Sequence, residues 1–259
     1  MNRKPKKLFG FLAKTKTTIL LLSVVFFFVF STAQVSAQKK FSRTYPANKN
    51  VTLRLTNRTG TVKVEGWDRP EVRISASMEA PEANIKPQSL SDTIYINLIK
   101  DNQGRNEVGY VNFTIYVPYS SSVYIETKMG NLNVSNVRGT FVHAHISTEG
   151  DITLTNINAG AVSAENVIGD IFFDGNVQRE GSYRFTSTRG SINLRIPFDS
   201  SFRLVATAPS TRNISLGAFS GGKMNSVGNG RRVVGMVGDG SATLTVTNQR
   251  GNISFIRRQ

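Results

Sequence analysis

His143 and His145 are the only histidines in this 259-residue chain, and they stand two residues apart. Residues two apart on a strand share a face. Two imidazoles plus a carboxylate from a neighbouring strand, Glu126 or Glu165, have the makings of a divalent-metal site. Two registers are open. If Val142, Ala144 and Ile146 form the core face, both histidines meet solvent; counting from Gly139 turns them inward with Phe141. Asp151 and Asp170 occupy one position of a repeat, with Asn131 before them and Ser191 after. Stacked carboxylates suit the acid/base pair of a glycan-cleaving enzyme. A turn, however, selects the same set of Asn, Asp and Ser, because short polar side chains bond the turn backbone. Trp67, the lone tryptophan, offers a ring for sugars or bases, while its place after Gly66 at a strand end fits a cap over the core. The glycines between 217 and 240 have no phosphate-loop or dinucleotide spacing, and no helical pattern follows them. No cysteine is present, so disulfides and thiol chemistry are excluded. The expectation is no metal, no cofactor, no catalytic residue and no enzyme, with His143 and His145 as the weak metal candidates.

These residues sit in a chain that alternates with period two almost throughout, as in Val51-Thr-Leu53-Arg-Leu55 and Val111-Asn-Phe113-Thr-Ile115-Tyr-Val117. Alternation means strands with one face on a core. One phrase recurs: glycine, a small polar residue, an aliphatic, any residue, an apolar. It reads Gly130-Asn-Leu-Asn-Val, Gly150-Asp-Ile-Thr-Leu, Gly169-Asp-Ile-Phe-Phe, Gly190-Ser-Ile-Asn-Leu and Gly251-Asn-Ile-Ser-Phe, with Gly60-Thr-Val-Lys-Val as an outlying copy. The four central glycines are 20, 19 and 21 residues apart. Such glycines mark tight turns. A second glycine and a second strand lie between copies, so each unit of about 20 residues is two short strands and two turns. One unit cannot bury its apolar face alone, and stacking builds a continuous core. The predicted fold is all-β: a β-solenoid-like stack of two-strand rungs, preceded by a capping β layer. Arg212-Asn-Ile214-Ser-Leu216 keeps the phrase without its glycine, which leaves a doubtful rung there. Residues 217–240 read as an irregular loop or broken rung, and Ala242 to Ile256 as the strand closing the far end.

The N-terminus is set apart by composition. Arg3, Lys4, Lys6, Lys7, Lys14 and Lys16 precede an apolar run from Ile19 to Phe30, and Val35-Ser36-Ala37 follows. A basic segment, a short apolar run and a small-x-small exit are the parts of a secretory signal helix. A spanning helix wants about 20 apolar residues, and this run offers about 15. The expected division is a signal peptide over 1–37 cut between Ala37 and Gln38, a capping β region over 38–120 and the repetitive region over 121–259, with 38–259 one continuous domain. Removing 1–37 takes away six of the 32 Lys+Arg and none of the 17 Asp+Glu, leaving a formal charge of +9. A basic surface favours anionic neighbours, although scattered charge also simply keeps a β-rich surface soluble.

Val51-Thr-Leu-Arg-Leu-Thr-Asn-Arg-Thr-Gly60-Thr-Val-Lys-Val-Glu-Gly66-Trp67-Asp68 resembles the opening of the bacterial "putative adhesin" domain family, also described as toast-rack-like. Val117-Pro118, the Gly-Asp-Ile rungs and Ile192-Asn-Leu-Arg-Ile-Pro197 are similar to that family's middle. Gly238-Asp-Gly240, Leu244-Thr-Val246 and Gly251-Asn-Ile253 are similar to its end. The resemblance covers about residues 48–257 and implies a right-handed β-solenoid-like envelope domain with no assigned activity. The functional expectation is an exported, non-enzymatic, adhesin-like binding module in the periplasm, at the cell surface or outside the cell. Its partner would be an anionic envelope polymer, a glycan or another protein. No nucleic acid is expected, and a membrane only through an uncleaved N-terminal segment. Alternatives are a β-helix carbohydrate-active enzyme and an envelope-stress regulator with a retained anchor.

Overall fold

In the computed structural model residues 38–48, 50–221 and 223–258 are described. The expected signal peptide over 1–37, with Ala37 at its end, lies outside them, and Gln38 is exposed just before the first strand.

Alternating aliphatic and Ser/Thr/Asn residues form short strands in two sheets, whose inner faces share one core running from Val51 to Phe255. A rung is one strand from each sheet. In the middle of the stack the rungs follow chain order: β8 (Ser122–Met129) to β9 (Leu132–Ser135), β10 (Phe141–Glu149) to β11 (Ile152–Ile157), β12 (Ala161–Ile168) to β13 (Ile171–Gly175), and β14 (Ser182–Arg189) to β15 (Ile192–Pro197). Neighbouring rungs pair in parallel, Ile152 with Leu132 and Ile171, Ile171 with Ile192. The Leu/Ile/Phe of each glycine phrase thereby forms one buried column.

Residues 38–120 contribute more than a cap. They hold two complete rungs, β2 (Thr52–Thr56) to β3 (Val62–Trp67) and β6 (Thr93–Asn97) to β7 (Val111–Pro118). Only β1 (Lys39–Pro46), β4 (Glu71–Met78) and the short β5 (Gln88–Leu90) run antiparallel beyond them. A one-turn helix, α1 (Leu98–Asp101), is capped by the Asn97 side chain and buries Leu98 beneath this end. Chain order and spatial order part here: β2 lies between β6 and β8, and β3 between β7 and β9.

The far end repeats the device, which corrects the expectation that the last strand closes it. β20 (Ala242–Asn248) and β21 (Ile253–Arg258) lie inside the stack, between β14/β15 and the rung of β16 (Phe202–Thr207) and β17 (Ile214–Ser215). The doubtful rung exists but is cut short: β17 is two residues long, and Arg212 adopts φ +58° without a glycine. The glycine-rich 217–240 stretch is a 3-10 turn (Gly217–Phe219) followed by the hairpin of β18 (Lys223–Val227) and β19 (Arg232–Val237), which extends the second sheet antiparallel to β16. Phe219 plugs the end, edge-on to Phe202 at 5.7 Å and to Phe255 at 6.3 Å.

Candidate functional site

The recurrent glycines line one edge of the stack, where the chain passes from the second sheet to the first. Gly60, Gly130, Gly150, Gly169 and Gly190 have φ between +114° and +148°, a region closed to other L-residues without strain. The reason is closer than turn geometry alone. A Cβ built on Gly150 would overlap the carbonyl oxygen of Gly130, and one on Gly190 that of Gly169. Gly251 has no left-handed φ, yet its Cβ would run into the Gly190 carbonyl. The column is a line of backbone-to-backbone contacts that side chains would separate.

The polar residue after each glycine looks forward along that column. Asn131 Oδ1 accepts the Asp151 amide at 3.0 Å, Asp151 Oδ1 the Asp170 amide at 2.8 Å, and Asp170 Oδ1 the Ser191 amide at 2.7 Å. The carboxylates that could have served as an acid/base pair are acceptors in a turn ladder, in which asparagine is an equivalent member. A second, buried ladder runs behind it. Asn57, Thr127, Asn166, Ser187 and Asn248 stand three residues before their glycines at inward positions. Asn166 Nδ2 donates to Gly150 O at 3.0 Å and Asn248 Nδ2 to Gly190 O at 2.8 Å, so these part-buried turn carbonyls gain a side-chain partner. In β10 this position is Ile146, four residues before Gly150, and the pairing shifts between Ile146 and Glu149. One bulged residue accounts for that departure from the three-residue offset.

The histidines face outward. Val142, Ala144 and Ile146 are buried, so the first of the two registers holds. The His143 ring stacks on Tyr124 at 4.4 Å and 14°, Arg54 lies over the other side of Tyr124 at 5.1 Å, and His145 is 6.5 Å from His143. Glu126 and Glu165 pair across the strands with His145, and the Tyr124 hydroxyl donates to Glu126. Burial, more than any charge, holds His143 below the usual histidine value; Glu126 and Glu165 pull upward and His145 adds to the lowering. Glu165 is 3.8 Å from His145 Nδ1. No group of three or more His, Asp or Glu side chains is arranged to hold a metal ion among the described residues. Because the rings stack along the sheet, their faces are used by one another and their edges meet solvent. This is a poor platform for stacking a sugar.

Trp67 is half-buried on the outer face of the first sheet instead of over the core. It stacks on Tyr116 at 5.0 Å, carries Arg69 and Arg73 at 5.1 and 5.0 Å, and donates its Nε1 hydrogen to Glu71 O at 2.8 Å. Two further features escape a reading of motifs. Asp174, buried on the outer face of the first sheet, accepts from Arg195 at 2.6 Å and lies 3.3 Å from Arg258. Its signal was present in the repeat alignment, because Asp174 and Arg195 hold one column on adjacent rungs. At the edge opposite the glycines, a cleft of about 460 Å³ is lined by Asn176, Arg179, Asp199, Ser200, Asp239 and Ser241. Asp239 pairs with Arg179 at 2.8 Å. The hydroxyl and amide of Ser241 hold its carboxyl below the usual range, which unsuits it to donating a proton at neutral pH.

Residues 32–255 match the family model Toastrack DUF4097. Among solved structures, a putative cell adhesion protein from Clostridium sporogenes is 13% identical with a TM-score of 0.49, covering 85% of this chain and 100% of its own. A putative adhesin from Bacteroides fragilis is 13% identical with a TM-score of 0.30, covering 85% and 99%. A putative lipid binding protein from Parabacteroides distasonis is 12% identical with a TM-score of 0.35, covering 85% and 97%. No curated protein sequence matches the chain.

Proposed function

The chain belongs to the Toastrack DUF4097 family, and on that premise we propose that it is an exported, non-catalytic, adhesin-like module that binds a partner of the cell envelope along the faces of its stack. The observation that carries this reading is the fate of the recurrent polar positions. Asp151 and Asp170 accept backbone amides of the next rung, as Asn131 does. The repeat therefore spends its carboxylates on holding turns in line. What remains is two long outer faces of regularly spaced polar side chains, a geometry suited to extended contact rather than to a converging reactive centre. Export is motivated by the basic-then-apolar start and the small residues before Ala37.

The test is an envelope-polymer and glycan array probed with the full chain and with the D151N/D170N double variant, with released sugar measured in parallel. The expected result is unchanged retention by both proteins and no product. Turnover by the full chain, abolished in the double variant, would replace the reading with catalysis. Mass of the chain recovered from the bacterial envelope tests export: cleavage after Ala37 is expected, and an intact N-terminus on a cytoplasmic chain would refute it.

A further inference from the structure

The basic excess is not spread along the stack. Residues 38–178 carry fourteen Lys+Arg against fourteen Asp+Glu, whereas residues 179–259 carry twelve against three. The whole formal charge of +9 beyond the signal segment thus belongs to the end built by β14 to β21.

It is also sorted by side. Arg184 on β14, Arg203 on β16, Lys223 on β18 and Arg232 on β19 are exposed, at strand positions alternating with core residues such as Phe185, Leu204 and Val233, and so project from the outer face of the second sheet. Arg189 at the end of β14, and Arg212, Arg231 and Arg250 in turns, are exposed along the adjoining edge. None of these eight forms an ion pair among the described residues. The three acids of the stretch, Glu180, Asp199 and Asp239, sit in turns on the opposite edge, where Asp239 is paired with Arg179. Between the bases lie hydroxyls: Ser182 on β14, Thr207 on β16 and Thr243, Thr245 and Thr247 on the intervening β20 occupy outward positions. On the outer face of β14, β20, β16, β19 and β18 Val227 is the one large apolar side chain that is exposed among the described residues, with Val205, Val234 and Met236 half-buried beside it.

Unpaired like charges on one face repel and cost folding free energy, so an acid-free arginine field signals a use for it. We infer that this basic pole is the docking surface for a linear acidic polysaccharide. Carboxylate groups along the polymer would pair with Arg184, Arg203 and Lys223, each two strands from the next, and its hydroxyls would meet the threonine rows. Five adjacent strands give a track of roughly 19 Å at ordinary strand spacing. A lipid surface fits less well, because membrane seating needs protruding apolar or aromatic side chains, and on these strands Val227 alone is exposed while Val205, Val234 and Met236 are half-buried among the bases and hydroxyls. The inference rests on the adhesin-like reading and names the partner class for it.

The test uses the full chain with polygalacturonate as probe, beside neutral dextran and phosphatidylglycerol vesicles. The expected result is binding of polygalacturonate alone, weakened several-fold when salt rises from about 0.1 to about 0.5 M. The R184E/R203E/K223E/R232E variant should bind at least about tenfold more weakly, while K39E/K40E/K86E/K128E, an equal change of charge at the balanced end, keeps its affinity. Thermal unfolding of both variants checks that they fold. Equal losses in the two variants would reduce the effect to net charge and overturn the inference, as would tighter binding to the vesicles or none to polygalacturonate. If the four-site variant still binds on the broader envelope array, this inference falls and the adhesin-like reading stands. If the unaltered chain binds nothing on that array, the adhesin-like reading itself fails.

Discussion

The middle of the stack and its two ends are built from the same two-strand rung, but the chain visits them differently. From β8 to β15 each rung lies beside the one before it in sequence, and contacts join residues about one repeat apart, such as Gly150 and Gly130. At each end the chain runs outward, builds an outer rung and a cap, and the ladder is completed by a rung out of turn. β2/β3 is enclosed by β6/β7, and β20/β21 by β16/β17. Gly251 meets Gly190 across 61 positions of sequence. Closing such loops adds entropy cost only slowly with length, but long-range pairing slows folding. In return, the second sheet ends on the short strands β5 and β18 and the first on β1 and the two-residue β17, and short edge strands offer little ladder for another chain to extend. Local repetition fixes the rise of the stack, and non-local insertion fixes where it stops.

The sharpest way to break this comparison is to remove the inserted rung. Deleting 242–258 should leave β14/β15 and β16/β17 without their shared neighbour and give an insoluble or molten chain, read by loss of near-ultraviolet circular dichroism. Deleting the peripheral β18–β19 hairpin, 223–237, should leave a cooperative transition at a lower midpoint. Next in size is the glycine column. Gly150→Ala forces a Cβ against a carbonyl at φ +148° and should cost about 3 kcal/mol or more, whereas Gly221→Ala, with nothing within 4 Å, should stay within about 0.5 kcal/mol. Urea unfolding of the two variants checks the pair.

A smaller effect tests the tie between centre and end. Arg258, on the inserted rung, reaches past β15 to Asp174 on a central rung. Asp174→Ala leaves two arginines without their carboxylate and should destabilise by about 2 kcal/mol, partly recovered in Asp174→Asn. The smallest effect is confined to the central face. His143 takes up a proton less readily folded than unfolded, so the unfolded chain binds more protons. Stability should therefore fall as pH drops through the ordinary histidine value of 6.5 towards the lower folded value, and be constant above that window. His143→Gln should flatten that slope in thermal midpoints, and an unchanged slope would assign it to other groups.

Much of this was legible in the sequence where its physics is local. Alternation marked the strands, and the phrase beginning at Gly130, Gly150, Gly169 and Gly190 located the turns and the rise of the stack. The turn role of Asp151 and Asp170 followed from the company they keep in one column. The insertion of β20/β21 was not legible, because the Gly251 phrase is the same whether its rung ends the stack or enters it. The inward ladder of Asn166, Ser187 and Asn248 hid as polar residues in an apolar column, visible only once strand parity is counted back from each glycine. His143 and His145 needed the register, which the bulge before Gly150 obscures. The basic excess of residues 179–259 can be counted along the chain, but its sorting onto one face needed strand parity and the edges of the stack.

The central claim is that backbone contacts between successive glycine turns hold the rungs in line. Native-state hydrogen exchange tests it most directly. The amides of Gly130, Gly150 and Gly169 donate to Glu149, Ile168 and Arg189 at 2.9, 2.8 and 2.9 Å. They should exchange only through global unfolding, while the exposed edge strand β18 exchanges orders of magnitude faster. Central glycine amides exchanging as fast as β18 would contradict the account.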